Sequence, residues 1–301
     1  MASPTIDVRR FISTDVSVLA ALDGAEQSRM AEAVAALERW LAQPGMQPER
    51  DCIIASIAGR PAGYAYVMVE TLIRRSVLLA GIPAEHASAP VEKALLEEAA
   101  AHARGFGLRV LDVDVPERDA ARQTFLVAQG LRHVRTHWHL RRESAERCAV
   151  PMPPGGALRM AVRSDAQALT DLQNAAFTGS WGYSPNVVAE IEYRVFDLQA
   201  PADDVILLEI DGELAAYCWT HREGPDGPGI VGMVGTQPEH QGRGHGKVVT
   251  GAGIDQLLSL GAAPVEITVD RDNEPAVRLY RGLGFELDWR SLWFELDLTK
   301  V

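Results

Sequence analysis

The sequence predicts an α+β protein made of two tandem copies of one fold. The prediction rests on an internal repeat, a Pro/Gly-rich segment between the copies, and a mixed order of strands and helices. Gly130 follows a helical stretch and recurs as Gly284 at an offset of 154, and residues 51–59 match residues 204–212 at an offset of 153. A nearly constant offset over this distance indicates a duplicated unit.

A linker separates the two copies. Residues 150–156 are Val-Pro-Met-Pro-Pro-Gly-Gly, and proline neither continues a helix nor donates to a strand ladder. We therefore expect one domain over residues 1–150, a linker over 151–157 and a second domain over 158–301.

The second copy shows its elements in order. Its strands are expected at 158–162, 205–210, 214–220, 230–236, 265–269 and 291–298, with Asp211-Gly212 closing a hairpin. Its helices are expected from a cap at Ser164 or Asp165 to Phe177, from Ser184-Pro185 onward, from a Gly-rich loop to about Leu260, and over 274–281. One long helix joins the central two strands in parallel, so each copy is predicted to be a mixed, mostly antiparallel sheet flanked by helices.

A Gly-rich turn lies between strand 230–236 and the long helix. Residues 241–246 are Gln-Gly-Arg-Gly-His-Gly. The glycines let backbone N–H groups approach an anion closely, and the helix N-terminus adds partial positive charge. Arg243 and Lys247 supply full positive charges nearby. This turn suits a pyrophosphate.

Two motifs resemble those of the GNAT acetyltransferases. The turn is similar to the family's Gln/Arg-x-x-Gly-x-Gly/Ala motif, with Gln241, Gly244 and Gly246 at its defined positions. The second part of the family's pattern follows at residues 269–285. The resemblance covers the whole second half, from about Leu158, and implies two tandem GNAT folds, each with a central pair of parallel strands that splay apart.

The resemblance implies that acetyl-CoA is the acyl donor. Main-chain groups at the splayed strand edges would hold the pantetheine arm, much as a peptide adds to a sheet edge, and the loop amides would hold the phosphates. The implied donor-binding residues are Val234, Gly235, Thr236, Gln241, Gly242, Arg243, Gly244, His245, Gly246, Lys247, Asn273 and Tyr280. The alternative for Asn273 is an N-cap of the helix that follows.

Acetyl transfer to an amine needs a neutral nucleophile, a stabilised oxyanion and a proton for the departing thiolate. The resemblance gives the oxyanion to a strand amide near Val234 and the proton to Tyr280, for which the alternative is a half-buried helix aromatic. Strand 230–234 carries no titratable group, so the base candidates are His221 and Glu223, with a solvated loop position as the alternative for both. A water chain or a partly neutral amine would also serve.

The loop at residues 177–183, Phe-Thr-Gly-Ser-Trp-Gly-Tyr, places aromatic side chains where loops are usually polar. It is expected either to line the acceptor pocket or to pack between the two domains.

His137 and His139 share a strand face, but no third ligand follows at a suitable spacing. We expect a basic strand face there and no metal site.

The first copy has lost the loop. The offset of 154 places Ala87, Pro90 and Glu92 where the second copy has Gln241, Gly244 and Gly246, and Leu126 where it has Tyr280. Proline removes a donor, and glutamate adds negative charge where a pyrophosphate would lie. We expect this domain neither to bind CoA well nor to catalyse, but to support the second domain or to shape the acceptor site.

The composition limits the partners. The 301-residue chain has a formal net charge of −12 and a pI near 5.2, which argues against nucleic acid and anionic membranes. No signal sequence or membrane-spanning run is visible.

The three cysteines are widely spaced: Cys52, Cys148 and Cys218. They are predicted to be reduced thiols, as in a cytoplasmic protein. The protein is expected to be a monomer or a homodimer. Cys218 lacks a His–carboxylate pattern, so a nucleophilic role is not expected.

These features predict an acetyl-CoA-dependent N-acetyltransferase that acts on a small-molecule or peptide amine by direct transfer. The tandem layout, with a degenerate first domain, resembles that of mycothiol synthases, which acetylate a cysteinyl amine on a sugar–inositol. A non-catalytic acyl-CoA-binding sensor is a second alternative. It is favoured because many members of the family that the chain resembles carry a carboxylate on the strand before the Gly-rich turn, whereas strand 230–234 has none. A protein N-terminal acetyltransferase is a third.

Overall fold

The computed structural model describes residues 5–87, 89–198, 204–222, 224 and 227–300. Its strands are β1 (Ile6–Arg10), β2 (Cys52–Ile57), β3 (Arg60–Glu70), β4 (Arg75–Gly81), β5 (Val110–Pro116), β6 (Arg132–Arg142), β7 (Gly156–Met160), β8 (Asp204–Ile210), β9 (Glu213–Arg222), β10 (Gly229–Thr236), β11 (Val265–Asp270) and β12 (Glu286–Asp297). Its α-helices are α1 (Val16–Leu22), α2 (Met30–Leu41), α3 (Pro48–Asp51), α4 (Ala89–Gly105), α5 (Ala120–Ala128), α6 (Ala166–Phe177), α7 (Val188–Glu192), α8 (His245–Ser259) and α9 (Glu274–Arg281). In these described ranges, no helix has both the length and the apolar character needed to cross a membrane.

The chain forms two compact units. One contains Met1–Val134 with Leu292–Val301, and the other contains Arg135–Ser291. The end of β12 therefore belongs to the first unit, and most of β6 belongs to the second. The predicted ranges 1–150 and 158–301 follow the repeat and remain our proposal for it. The two divisions differ because the boundary between the units falls within the closing strand of each copy: most of β6 and half of β12 are assigned to the other copy's unit.

The first unit is built on strands in the order β1-β2-β3-β4-β5-β12. Its strands pair antiparallel from β1 to β4, whereas β4 and β5 pair parallel at residues 75–77 and 110–112. At the end of β12, the Leu298 N–H donates to Arg109 O at 2.8 Å. Phe294 and Leu298 are buried in one core with Leu95 of α4, so the C-terminal strand completes this unit's core.

The second unit is built on strands in the order β6-β11-β10-β9-β8-β7. Its central strands β10 and β11 run parallel, with α8 as the crossover. They pair at Gly229↔Val265, Ile230↔Glu266 and Val231↔Ile267. Within the described residues these strands do not pair further along, and this confirms the predicted splayed pair. A β-bulge between Val231 and Met233 lies where the separation begins.

Alternating side chains of β9 divide the second unit into two layers. Tyr217 packs in a buried cluster with Leu169 of α6, whereas Cys218 packs in a cluster with Val249 of α8. The α8 helix approaches the sheet closely at Gly253, where a Cβ would lie 2.5 Å from the Cys218 sulfur. The space between α8 and the sheet therefore requires glycine at this position.

Local turn chemistry produced the elements that the sequence predicts best. The hairpin between β8 and β9 turns at Asp211 (φ 53°) and Gly212 (φ 86°), the left-handed pair of a tight hairpin turn. The predicted helix 274–281 has the predicted bounds. Both features depend on residues adjacent in sequence, and both predictions are confirmed.

The predicted helix start at Ser184-Pro185 is wrong, because α7 begins at Val188. Asn174 holds the preceding residues outside the helix: its Oδ1 accepts from the Asn186 N–H (2.9 Å) and its Nδ2 donates to Asn186 O (3.0 Å). Glu190 then accepts from the Val187 N–H at 3.1 Å and caps the helix. The Ser-Pro pattern does not reveal this competing side chain from α6.

Candidate functional site

The Gly-rich turn between β10 and α8 presents unsatisfied backbone donors. Within the described residues, the N–H groups of residues 242–246 donate to no protein acceptor. Their neighbours are satisfied, since the Gln241 N–H donates to Pro238 O (3.3 Å) and the Lys247 N–H to Gly244 O (3.0 Å). Five consecutive free amides at the start of a 15-residue helix form an arrangement that suits an anion.

The backbone of this turn requires glycine and leaves space beside it. Gly242 has φ 74° and Gly244 has φ 85°, in the left-handed region that other residues avoid. A Cβ built on either would meet no atom within 4 Å. An incoming group can therefore approach these two amides without a steric barrier.

The charged side chains of residues 241–247 are positive. Arg243 and Lys247 are exposed and form no ion pair with any described residue. His245 is 5% exposed and its Nδ1 has no hydrogen-bond partner in the described part of the chain. Burial lowers the pKa of His245, which favours its neutral form. The side-chain amide of Gln241 donates to Thr236 O at 3.3 Å and ties the turn to the end of β10.

The edge of β10 that faces the splayed gap offers main-chain groups. The Gln237 N–H donates to Ala215 O, on the β9 side, at 2.9 Å. Because successive residues of a strand direct their N–H and C=O groups to opposite sides, those of Val234 and Thr236 face the gap. Gly235 pairs with Tyr217 of β9 and its backbone groups face that strand. The structure thus places Val234 and Thr236, but not Gly235, at the open edge.

Tyr280 and Asn273 lie on α9. Tyr280 is 7% exposed, in the same buried cluster as Val231 of β10. Burial raises the pKa of its phenol above the ordinary value, which keeps the hydroxyl protonated. The Asn273 side chain accepts from the Ala276 N–H at 3.2 Å and caps the helix. At the repeat offset, Asp119 caps α5 in the same way, so this cap is a feature of both copies.

Of the two base candidates, the structure describes one. His221 lies near the end of β9, and its Nδ1 is 3.2 Å from the position that a Cβ on Gly232 would occupy. Gly232 is the bulged residue where β10 leaves β11, so this imidazole borders the opening of the gap. Glu223 lies outside the described residues.

Cys218 is positioned as a core thiol. It is fully buried between β9 and α8, and burial raises its pKa to about 12. Since the thiolate is the nucleophilic form, this cysteine is not available for covalent catalysis.

The aromatic loop after α6 contacts strand β6 of the same unit. The rings of Trp181 and His137 meet edge-on, with their centres 6.0 Å apart. The Arg135 guanidinium lies 5.7 Å from the Trp181 ring centre. Tyr183 instead packs against Phe177 at 5.3 Å. Trp181 is therefore the loop aromatic that reaches the half-buried face of β6, while Tyr183 packs against α6, where its hydroxyl donates to Asn174 Oδ1 at 2.7 Å.

A second aromatic pair on this face was not identified from the sequence. His139 stacks on Trp289 at 3.4 Å, and its ring nitrogens lie 3.0 Å from Ser291 Oγ and 3.1 Å from Thr268 Oγ1. Thr268 is exposed, one residue past the last pair of β11 with β10. The sequence indicates only that Arg135, His137 and His139 share one face of β6, because side chains alternate along a strand. It does not indicate that Trp289 stacks on this face. Among the described residues, no group of three His, Cys, Asp or Glu is arranged to hold a metal ion.

In the first unit, the start of α4 corresponds to the Gly-rich turn and the start of α8, but it carries an acidic side chain. Glu92 lies in the first turn of α4 and pairs with Arg122 of α5 at 2.8 Å. Both line a cavity of about 370 Å³. Leu126, at the position of Tyr280, is 2% exposed. The start of α4 thus carries a carboxylate and its counterion, whereas the first turn of α8 in the second unit has no acidic residue.

The splayed parallel strands and the glycine-lined helix start define an acetyltransferase of the GNAT class, and the comparisons agree. The model of the acetyltransferase (GNAT) family matches residues 166–285. A mycothiol acetyltransferase of Thermobifida fusca is 33% identical over 65% of this chain and 67% of the relative. The chain belongs to the GNAT acetyltransferase family.

Other relatives match a shorter part. A mycothiol acetyltransferase of Actinosynnema mirum is 37% identical over 54% of this chain and 55% of its own length, and one of Paenarthrobacter aurescens is 37% identical over 50% of each. The chain spans about half the length of these relatives.

Solved structures share the tandem fold. A tandem GNAT protein from the clavulanic acid biosynthesis pathway superposes with a TM-score of 0.73 at 17% identity, over 98% of this chain and 99% of the other. A GNAT protein from Sphaerobacter thermophilus gives 0.72 at 17% identity, over 97% and 96%. At this identity the likeness concerns the fold alone.

Proposed function

We propose that this protein transfers an acetyl group from acetyl-CoA to a primary amine, and that its second half carries the reaction. The observation that carries the proposal is the row of five free amides at residues 242–246, beside a gap edged by open main-chain groups. A diphosphate satisfies such donors, and an extended pantetheine arm satisfies a strand edge.

The residues present fit this donor. Arg243 and Lys247 add charge at the helix start, and the glycines leave it sterically open. Val234 and Thr236 offer donors and acceptors to the amides of the pantetheine arm. Acetyl-CoA supplies the activated acyl group, and the protein holds it in line with the acceptor, an arrangement worth up to roughly 7–11 kcal/mol in favourable cases.

Three groups of the chain then act on the reacting atoms. The Val234 N–H donates to the acetyl oxygen as negative charge develops there. His221 takes a proton from the acceptor amine, directly or through water, because its ring lies at the bulge beside the gap. The protonated Tyr280 hydroxyl gives its proton to the leaving sulfur. Glu223 is the alternative base.

The acceptor is proposed to enter over the face of β6 that carries His137 and His139, with Trp181 as one wall. The relatives named mycothiol acetyltransferases make a mycothiol-type cysteinyl amine the first acceptor to try. Other small-molecule and peptide amines remain in the proposal, because acceptor loops differ widely among proteins of one fold.

The first half is proposed to be inactive as a donor site. Glu92 places a carboxylate in the first turn of α4. The ion pair between Glu92 and Arg122 neutralises the neighbouring positive charge, so that charge does not attract a phosphate. Leu126 supplies no proton where the second half has Tyr280.

The test combines donor binding with product formation. Calorimetric titration with CoA gives the affinity and the number of sites, and incubation of acetyl-CoA with an amine panel is followed by thiol release and product mass. We expect one site per chain, in the second half, and an acetylated amine. Binding without thiol release across the panel would support the acyl-CoA sensor instead. Absence of CoA binding would end the proposal.

A further inference from the structure

The segment that follows β6 is attached to the second unit near the start of α8. The Arg142 guanidinium donates to the backbone oxygens of Leu283 (2.9 Å), Glu146 (2.6 Å) and Ser144. The Cys148 N–H donates to Asp255 Oδ1 of α8 at 2.7 Å. These bonds give residues 144–150 a fixed course against α8 and the turn after α9.

A cavity of about 360 Å³ lies beneath this segment. Its charged lining groups are Arg142, Arg147 and Lys247, against the single carboxylate of Glu146. Glycines 282 and 284 form part of the opposite wall. The lining therefore carries an excess of two positive charges, in a chain whose formal net charge is −12.

These cations are not neutralised by the protein. Arg142 is 6% exposed, and its described acceptors are backbone oxygens rather than carboxylates. Arg147 and Lys247 form no ion pair with the described residues. Arg147 and Lys247 are exposed, so their charges attract an anion that enters the cavity, while the buried Arg142 adds positive potential from behind. The charge of the lining therefore favours an anionic ligand over a neutral or cationic one.

Lys247 connects this cavity to the free amides. It lies in the first turn of α8, directly after residues 242–246, and it also lines the cavity. CoA carries a phosphate monoester on its ribose in addition to its diphosphate, and such a group bears up to two negative charges at neutral pH. We propose that this cavity holds the 3′-phosphate of CoA, with Arg147 and Lys247 as its direct partners and Arg142 as a positioning residue. The inference rests on the proposed function.

The segment 144–150 consequently acts as part of the donor site rather than only as a connection. It makes the second unit selective for CoA over donors that lack the ribose phosphate. Arg147 is the group that the sequence motifs do not indicate, since it lies nearly 100 residues before the Gly-rich turn.

The experiment compares CoA with dephospho-CoA, which lacks only the 3′-phosphate, by calorimetric titration of the full chain. The wild type is expected to bind CoA about 10-fold more tightly or better, the order expected of hydrogen bonds to a charged group. Arg147→Ala is expected to remove most of this preference and leave the affinity for dephospho-CoA unchanged. Arg147→Lys should retain part of the preference. Arg163→Ala, which changes an exposed arginine in the turn before α6, serves as the control and should retain all of it.

Two results would overturn the inference, and they differ in meaning. Equal affinity of the wild type for both compounds, or an unchanged preference in Arg147→Ala, would exclude the cavity as the phosphate subsite and leave the donor site intact. Failure of the wild type to bind either compound would remove the proposed function and the inference together.

Discussion

The imidazole of His221 lies against the backbone of Gly232, with its Nδ1 3.2 Å and its Cε1 3.3 Å from the position of an added Cβ. Gly232 is the residue at which β10 bulges and separates from β11. The absence of a side chain there lets the ring approach the strand. The same position thus opens the gap and admits the proposed base.

This relationship predicts that Gly232→Ala displaces the imidazole, since a contact of 3.2 Å is closer than ordinary packing allows. We expect kcat to fall toward that of His221→Ala, about 10²-fold or more below the wild type, with CoA affinity unchanged. Steady-state kinetics and titration measure the two effects. Gly105→Ala, where an added Cβ meets open space, is the matched control. Full activity of His221→Ala would leave the base role to another group.

The free amides predict a strong effect of charge at the loop. Gly244→Glu places a carboxylate at the helix N-terminus and strains a left-handed residue by about 1–2 kcal/mol. CoA binding should be lost while the fold is retained, as judged by circular dichroism and calorimetry. Gly261→Glu carries the same strain at φ 71° away from the loop and should bind CoA normally. Pro90→Gly in the first unit should leave binding unchanged.

Tyr280→Phe tests the proposed acid. The substitution removes only the hydroxyl, so donor affinity and thermal stability should remain close to those of the wild type. The rate should fall by roughly 10²–10⁴-fold. Because burial raises the pKa of this phenol, the wild-type rate should not decline near pH 10, where an ordinary tyrosine ionises. A rate equal to that of the wild type would make Tyr280 a packing residue.

His139 predicts a pH-dependent stability. Burial, with a smaller effect of His137, lowers its pKa to about 4, whereas an unfolded histidine titrates near 6.5. Between these values the unfolded chain binds more protons, so this residue's contribution is fully present above about pH 6.5 and decreases as the pH falls toward 4. Urea unfolding across this range should show a smaller decline for His139→Phe. His133→Gln removes a histidine from an exposed position of the same strand and serves as the comparison variant.

Trp181 is predicted to affect the acceptor alone. Its ring contacts His137 and Arg135 rather than the Gly-rich turn, so Trp181→Ala should raise the acceptor KM and leave the KM for acetyl-CoA unchanged. The donor KM measured in the same assay is the internal control. An equal rise in both constants would mean that the loop supports the whole site and not the acceptor wall.

The sequence predicted features that depend on neighbouring residues. The Asp211-Gly212 hairpin, the helix over 274–281 and the glycines of residues 241–246 follow from local backbone preferences and short motifs, and the structure shows each of them. The parallel pair of strands followed from the length of the crossover helix. The structure adds the bulge at Gly232, which no local pattern specifies.

Features that join distant residues were not predictable in this way. The start of α7 depends on Asn174 of another helix, and the stack of His139 on Trp289 joins residues 150 apart. The place of β12 in the first unit's core likewise depends on packing with residues far away in sequence. A single sequence shows which residues could form such long-range contacts, but it does not show which of them contact each other.

The most direct test of the account observes the free amides themselves. Selective ¹⁵N labelling of glycine in the full chain gives separate N–H signals for Gly242, Gly244 and Gly246, together with those of distant glycines such as Gly105 and Gly261. Titration with CoA should move the first three signals strongly and leave the distant two in place, because new hydrogen bonds form only at the turn. Saturable CoA binding that moves other glycines, with those three signals unchanged, would contradict the central claim.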